Sequence, residues 1–432
     1  MTTETVPVTE FGTLLRQFRS RARLTQNELA GLSAVSTRTI RNLEAGRATS
    51  PRPDTVRLLA DGLRLSAASQ ARLSLAAGLP PVGAALHAAE GRLPSWDAAL
   101  DRDPYGRAHD LRLVLSCVQN DTSCLVSISG FSGVGKSRLA AALVREAQHA
   151  LRTQWLWLRP GERADNAPSP TDVVLRQWYR ELADGQSGAV EDLVRLVGDQ
   201  PYLIIVDGVD GPAGTLGATL RELIRRCARL TVIETTRNPL PLDSRHIVPL
   251  KPLRLPAEND RPTRSQLVGH PALSLLVPLV QAIQPDFQES EDNIRHALDV
   301  CRSLDGLPRA LETAATWFAF YPPAGVAEAA HDDPCALAAA GSEDGESNWL
   351  RDAVDDAFGG LTDAQHCLAA ELARRTAPWT IEDLIGGTRR SSAEIMESLR
   401  TLLALGVIRP ADGSDTKARR YTVLNLLRPT LM

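Results

Sequence analysis

The chain has 432 residues, 43% of them hydrophobic and 23% charged, and a formal net charge of −4. This balance belongs to a folded water-soluble protein long enough for three or four domains, and it excludes a disordered, collagen-like or disulfide-stapled chain. No apolar run reaches the length of a membrane span, and Met1-Thr2-Thr3-Glu4 lacks the basic-then-apolar pattern of a secretion signal, so a cytoplasmic protein without a membrane partner is expected.

The charge is unevenly placed. Residues 1–80 carry eleven arginines against six acids, with no lysine or histidine, so a basic head precedes an acidic body. From Phe11 to Leu24 a helical period puts Phe11, Leu14, Leu15 and Phe18 on one face. Thr25-Gln26-Asn27-Glu28 reads as a capping box that starts a second short helix reaching about Leu32. A turn through Ser33-Ala34-Val35 follows, and Ser36 caps a third helix ending at Gly46. Two short helices around a tight turn suggest a helix-turn-helix.

In the third helix Ile40 and Leu43 point to a core, which leaves Arg38, Arg41 and Asn42 on the exposed side. Arginine can read guanine and asparagine adenine, so these three are the candidates to enter the major groove of double-stranded DNA. Gln26, Ser36 and Thr37 lie near helix N-termini, where contacts to phosphates set orientation. The other reading of the same residues is a solvated arginine face on a protein-docking bundle. Leu24-Thr25-Gln26-Asn27-Glu28-Leu29-Ala30, Val35 to Ile40 and Leu43-Glu44-Ala45-Gly46 resemble the lambda-repressor-like (Cro/XRE) helix-turn-helix family. Pro53 to Ala60 and residues 66–78 fit that family's fourth and fifth helices.

Residues 80–103, with Pro80-Pro81 and several alanines, read as a linker. The apolar run Cys124 to Ser129 then leads into Gly130-Phe131-Ser132-Gly133-Val134-Gly135-Lys136-Ser137, a complete G-x-x-x-x-G-K-S phosphate loop, followed by the helical run Arg138 to Val144. Backbone N–H groups from Gly130 through Val134, Gly135 and Arg138 are expected to surround phosphate oxygens at a helix N-terminus. Lys136 should reach the outer phosphates and Ser137 should ligate Mg2+. Only three lysines (Lys136, Lys251, Lys417) stand among 48 basic residues, which makes Lys136 conspicuous and points to a GC-rich bacterial source.

Tyr202 to Asp207 is an apolar strand delivering a carboxylate to the sheet edge, the place where P-loop proteins hold Mg2+. Leu230 to Glu234 runs into Thr235-Thr236-Arg237, a tip able to sense a γ-phosphate, or alternatively a strand-end arginine in a surface ion pair. Near the C-terminus Thr362, Thr380 and Ser391 each start a helix by a capping box. The last helix is followed by Val407-Ile408-Arg409, a polar loop and Arg420 to Leu424, an order that suggests a winged helix, with a second DNA contact through Arg419 and Arg420 as a further option. The six cysteines are scattered without C-x-x-C spacing and read as core thiols rather than metal ligands.

Taken together, residues 104–430 resemble the STAND class of P-loop ATPases, the NB-ARC-like regulators. Tyr105-Gly106-Arg107 is similar to the Gly-Arg that opens the class's nucleotide domain, Asp207 to its magnesium aspartate, Thr236-Arg237 to its sensor. Leu304 to Leu311 is similar to its Gly-Leu-Pro segment, with Pro308 near the nucleotide base. The resemblance implies ATP/ADP and Mg2+ as cofactors and a C-terminal domain that closes over the nucleotide. Gly208 stands where hydrolytic relatives often carry a second acid; unless Asp210 substitutes beside Asp207, the site implies slow ATP turnover at best. Val423-Leu424-Asn425 replaces the class's Met-His-Asp, and no repeat of 20–50 residues is visible.

The expected fold is therefore multidomain, α and α/β. An all-α helix-turn-helix head (1–79) and linker (80–103) precede a P-loop domain with a parallel sheet (104–250), a small helical domain (251–345) and a winged-helix domain (346–432). The expected function is a bacterial transcriptional regulator whose DNA binding is controlled by an ATP/ADP switch and homo-oligomer assembly, with its signal entering through a small molecule or protein partner. The alternative is a nucleotide-gated scaffold whose helical head docks proteins; a DNA-remodelling ATPase fits poorly with Gly208.

Overall fold

The structure, a computed structural model, describes residues 10–48, 51–65, 67–80, 82–92, 103–119, 123–151, 153–159, 170–209, 214–237, 246–256, 270–339, 349–386, 391–411 and 419–431. Its internal contacts divide the chain into two compact units.

The first unit holds residues 1–92, 156–200 and 214–227. Its N-terminal part is a five-helix bundle: α1 (Glu10–Arg21), α2 (Gln26–Ser33), α3 (Thr37–Glu44), α4 (Pro53–Gly62) and α5 (Ala67–Ala76). Phe11, Leu15 and Phe18 of α1 meet Leu29, Ile40, Leu43, Val56, Leu59 and Leu73 in one buried cluster. The helices begin where the sequence places their caps. Thr25 and Glu28 form the reciprocal capping box of α2, and the Ser36 hydroxyl accepts from Thr39 N–H at the start of α3. Ala34 ends α2 at φ +54°, a left-handed position that normally favours glycine.

Residues 82–89, placed in a linker by their composition, form helix α6 (Val82–Ala89). Its Ala85 and Leu86 are buried, and it packs on α9 (Pro170–Ala183) and α10 (Ser187–Val197). A run rich in alanine has weak amphipathic contrast, yet alanine is the strongest helix former and two small buried faces suffice for docking. Also in this unit is a helix over Gly214–Arg226, written α11.

The second unit holds residues 93–155, 201–213 and 228–432. After α7 (Ala108–Gln119), strands β1 (Cys124–Ser129), β2 (Gln154–Leu158, which runs across the division at residue 155), β3 (Tyr202–Asp207), β4 (Leu230–Thr236) and β5 (His246–Pro249) form a five-stranded sheet of order β2-β3-β4-β1-β5. The pairs β1–β4, β1–β5 and β3–β4 are parallel. Every residue of β1, β3 and β4 is buried, as strands covered on both faces require, and this is why apolar residues predominate in them without a polar face. The register sets Asp207 beside Thr235 and Ser129 beside Thr236, so the carboxyl ends of three strands converge on one edge. Helix α8 (Lys136–Leu151) starts at that edge.

A helical layer follows: α12 (Pro271–Ile283), α13 (Glu291–Ser303), α14 (Pro308–Ala315), α15 (Pro323–Asp332), α16 (Pro334–Ala339) and α17 (Trp349–Phe358). The C-terminal part comprises α18 (Asp363–Ala373), α19 (Ile381–Ile385) and α20 (Ser392–Ala404), each opened by its expected capping box. Strands β6 (Ile408–Pro410) and β7 (Tyr421–Val423) then pair antiparallel, and a 3-10 turn (Asn425–Leu427) and short α21 (Arg428–Leu431) complete it. No helix is long and apolar enough to cross a membrane among the described residues.

Candidate functional site

The phosphate loop links β1 to α8 in the second unit. Gly130, Gly133 and Gly135 hold φ values of +146°, +78° and +98°, which a residue with a Cβ rarely adopts. At Gly130 the close approach is also steric, because a Cβ there would lie 2.5 Å from the Leu250 carbonyl oxygen. The Lys136 ammonium donates to the carbonyls of Gly130 (2.8 Å) and Phe131 (3.2 Å), so it arches back over the loop. Arg107 is buried at the start of α7 and donates to the Val134 carbonyl (3.0 Å). Burial lowers its pKa, and Asp110 at 3.4 Å opposes that effect.

Asp207 ends β3 with its side chain buried. Its Oδ1 accepts from the hydroxyls of Ser137 (2.7 Å) and Thr235 (2.5 Å). The Thr235 oxygen accepts in turn from Gly208 N–H (2.8 Å), which fixes the direction of its own proton toward Asp207. The second carboxylate oxygen, Oδ2, is buried and has no hydrogen-bond partner among the described residues. Leaving such an atom unmatched costs energy unless something else binds it. A hydroxyl and a carboxylate oxygen side by side at a helix start are the hard oxygen donors that a small divalent cation takes.

The structure therefore brings together Gly130, Gly133, Val134, Gly135, Lys136, Ser137, Arg107 and Asp207. Thr236 stands at the same strand edge, but its buried hydroxyl donates to the Val209 carbonyl (2.7 Å), while its neighbour Thr235 is the residue that touches Asp207. Arg237 follows β4 and is half-buried. Arg138 is paired with Glu312 of α14 at 2.8 Å. Asp210 lies outside the described residues.

Pro308 opens α14 and is buried. The next residue, Arg309, donates its backbone N–H to the Gly133 carbonyl (3.2 Å) and sets its guanidinium 5.0 Å from the Trp349 ring centre. The Trp349 ring also crowds Gly133, where a Cβ would sit 3.0 Å from it. Gly406, at the end of α20, closes on Phe131 so tightly that a Cβ would lie 2.9 Å from the Phe131 amide nitrogen. Trp349, Gly406 and Thr235 were not singled out by the sequence. Their signal is tertiary, and only the paired threonines before Arg237 hinted at one of them.

In the first unit, α3 presents the second candidate surface. Arg38 and Arg41 are exposed, Ser36 is exposed as the helix cap, and Thr37 and Asn42 are half-buried. Gln26 is placed differently from a free phosphate contact: its amide nitrogen donates to Glu44 (2.8 Å). Glu44 also accepts from Arg19 Nε (2.6 Å) and Nη2 (2.9 Å), a fork that raises the Arg19 pKa chiefly through the hydrogen bond and ties α1 to α3.

A family model described as "Helix-turn-helix domain" matches residues 10–73, the segment that forms the α1–α5 bundle apart from its last turn. The N-terminal segment is thus a helix-turn-helix domain. A Mycobacterium tuberculosis protein provisionally named an HTH-type transcriptional regulator is 26% identical over 320 residues, covering 70% of this chain and 33% of its own length. A further protein of that organism, described as uncharacterized, is 27% identical over 191 residues, covering 44% of this chain and 45% of its own. The chain thus spans a third to under half the length of these curated relatives. Among solved structures, similarity extends to a Signal Transduction ATPase with Numerous Domains protein with a tetratricopeptide repeat sensor from Pyrococcus horikoshii. That match has 14% identity, covers 78% of this chain and 44% of the other, and gives a TM-score of 0.30. A Rhizobiales Trip13 matches with 13% identity, covering 56% of this chain and 95% of its own, at a TM-score of 0.34.

Proposed function

We propose that the protein is a nucleotide-switched transcriptional regulator. The observation that carries the nucleotide half is the Ser137–Asp207 pair at the mouth of a glycine loop, with the Asp207 Oδ2 atom left buried and unmatched among the described residues. Gly130, Gly133, Val134, Gly135 and Arg138 lend backbone N–H groups to the phosphates of ATP or ADP, and Lys136 turns from the loop carbonyls to the outer phosphates. Ser137 and Asp207 hold Mg2+, which neutralises phosphate charge when bound. Thr235 fixes the Asp207 carboxylate for that task, and Arg237 stands at the strand end as the sensor of a third phosphate. Pro308 packs against the base.

The DNA half rests on the helix-turn-helix domain with its exposed Arg38 and Arg41, and on the name of the mycobacterial relative matched over 320 residues. Arg38, Arg41 and Asn42 read base edges of an operator, while Ser36 and Thr37 contact phosphates. Gly208 beside Asp207 favours a slow switch over a motor. ATP loading opens the C-terminal winged-helix domain, permits self-assembly in the cytoplasm and aligns several heads on adjacent half-sites, so that bivalency supplies affinity one head lacks.

Calorimetric titration of ADP with Mg2+ into the full chain tests the nucleotide half. Binding that disappears in Lys136→Ala is expected; equal binding by that variant would overturn the loop assignment.

A further inference from the structure

Asp305 is a fully buried carboxylate on which the phosphate site does not draw. It sits in the turn between α13 and α14 at φ +56°, a backbone region that aspartate tolerates better than most residues, and Gly306 follows at φ +67°. The turn has two further attachments. Gly306 O accepts from Leu253 N–H (2.9 Å), on the segment leaving the sheet. Three residues further on, Arg309 N–H reaches the Gly133 carbonyl of the phosphate loop.

The Asp305 side chain points the other way, into the C-terminal part. Its Oδ2 accepts from Leu426 N–H (3.1 Å), and its Oδ1 stands 3.6 Å from Arg409 Nη2 of β6. Around it, Asn425 Nδ2 donates to the Arg302 carbonyl (3.1 Å) and Cys335 Sγ to the Leu426 carbonyl (3.2 Å). Arg428 anchors the same segment by donating to the carbonyls of Ala373 (2.6 Å) and Arg375 (3.0 Å). The charged and titratable groups facing Asp305 are thus Arg409, Arg428 and Cys335.

We propose that Asp305 is a latch that ties residues 425–427 to the turn carrying Pro308 and Arg309 onto the phosphate loop, coupling release of the loop's occupant to undocking of the C-terminal segment. This rests on the reading of the loop as a nucleotide site. The chemistry of the joint fits a contact built to open. A buried carboxylate whose nearest cation is 3.6 Å away is poorly compensated, and burial pushes its pKa up to about 6. A neutral amide would accept the same Leu426 N–H without a charge to bury. The charge makes the joint specific and breakable, and its position converts a shift of α14 against Gly133 into loss of the Leu426 and Arg409 contacts.

The test uses the full chain, with amide hydrogen exchange at 424–427 and stopped-flow release of a fluorescent ADP analogue. Asp305→Ala removes the acceptor and the charge. It is expected to speed Leu426 exchange roughly ten- to a hundredfold, the loss of a hydrogen bond to a charged group, and to speed analogue release several-fold. Asp305→Asn keeps an acceptor for Leu426 N–H and is expected to restore both rates to within about threefold of the parent. Unchanged exchange in Asp305→Ala would overturn the latch, and faster exchange with unchanged release would overturn the coupling. Should Asp305→Ala fail to fold, Asp305→Ser, whose shorter side chain withdraws the acceptor from Leu426 N–H and removes the charge facing Arg409, is read the same way. If the parent chain bound no ADP analogue, the nucleotide reading would fail, and exchange alone would decide whether Asp305 holds the segment.

Discussion

Replacing Glu44 by alanine should loosen the helix-turn-helix domain through a single buried network. Glu44 accepts three hydrogen bonds, two from the Arg19 fork and one from Gln26, and its side chain is 5% exposed against 14% for Arg19. An exposed ion pair contributes under about 1 kcal/mol, whereas removing one member of a fully buried pair costs about 3–5 kcal/mol because the other charge is stranded. The Arg19–Glu44 pair lies near the surface of a small bundle, so about 2–3 kcal/mol is the expected loss. Amide exchange at Leu29 and Ile40, read in the full chain, should then accelerate about 30- to 150-fold if these amides exchange through opening of the bundle. Arg19→Met combined with Glu44→Met removes both charges and should recover most of that loss, because no buried charge remains unpaired. A double variant as loose as the sum of its single variants would show that the two side chains are not coupled, and the reasoning would fail.

Ala34→Gly should stabilise the same bundle by about 0.5–1 kcal/mol, since the φ of +54° costs alanine more than the extra unfolded-state freedom of glycine; a lower or equal melting temperature would count against it. Gly406→Ala should destabilise the second unit by about 1–3 kcal/mol, because φ is +74° and its Cβ would press on Phe131; thermal unfolding reads the loss. The raised Asp305 pKa has a defined pH signature. The folded chain binds the proton more tightly than the unfolded one, so this group's contribution falls as pH rises from about 4 to about 6 and is flat above. The total is of order 2–3 kcal/mol, and Asp305→Asn should flatten that window in melting temperature against pH. Arg38→Ala should cost about 1–3 kcal/mol of operator binding and relax selectivity at one base position; a uniform loss across sequences would make Arg38 a phosphate contact.

The parts of this molecule that were legible in the sequence are those with local causes. The glycines of the phosphate loop, the capping boxes at Thr25, Thr362, Thr380 and Ser391, and the largely apolar strands each carry their reason within a few residues. Asp207 was legible as the end of such a strand. What escaped notice depends on chain-distant neighbours. Helix α6 is held by α9 and α10, whose small buried faces no local pattern announces. Gln26 looked like a free helix-start polar residue until Glu44, eighteen positions on, claimed its amide. The one-residue choice between Thr235 and Thr236 follows from strand register, because adjacent side chains point to opposite faces of the sheet. Trp349 and Gly406 approach the loop from more than two hundred residues away, a distance over which sequence patterns carry no information.

The account's central claim is that the phosphate loop controls DNA binding by the head. Fluorescence anisotropy tests it most directly, using DNA from immediately upstream of the protein's own gene alongside random genomic fragments. The full chain and Lys136→Ala would be compared at fixed salt with ADP, with ATP and with neither. Sequence-selective binding that changes with nucleotide in the parent chain and ignores it in Lys136→Ala is the predicted result. Selective binding indifferent to nucleotide, or no selective binding to any fragment in any state, would contradict it.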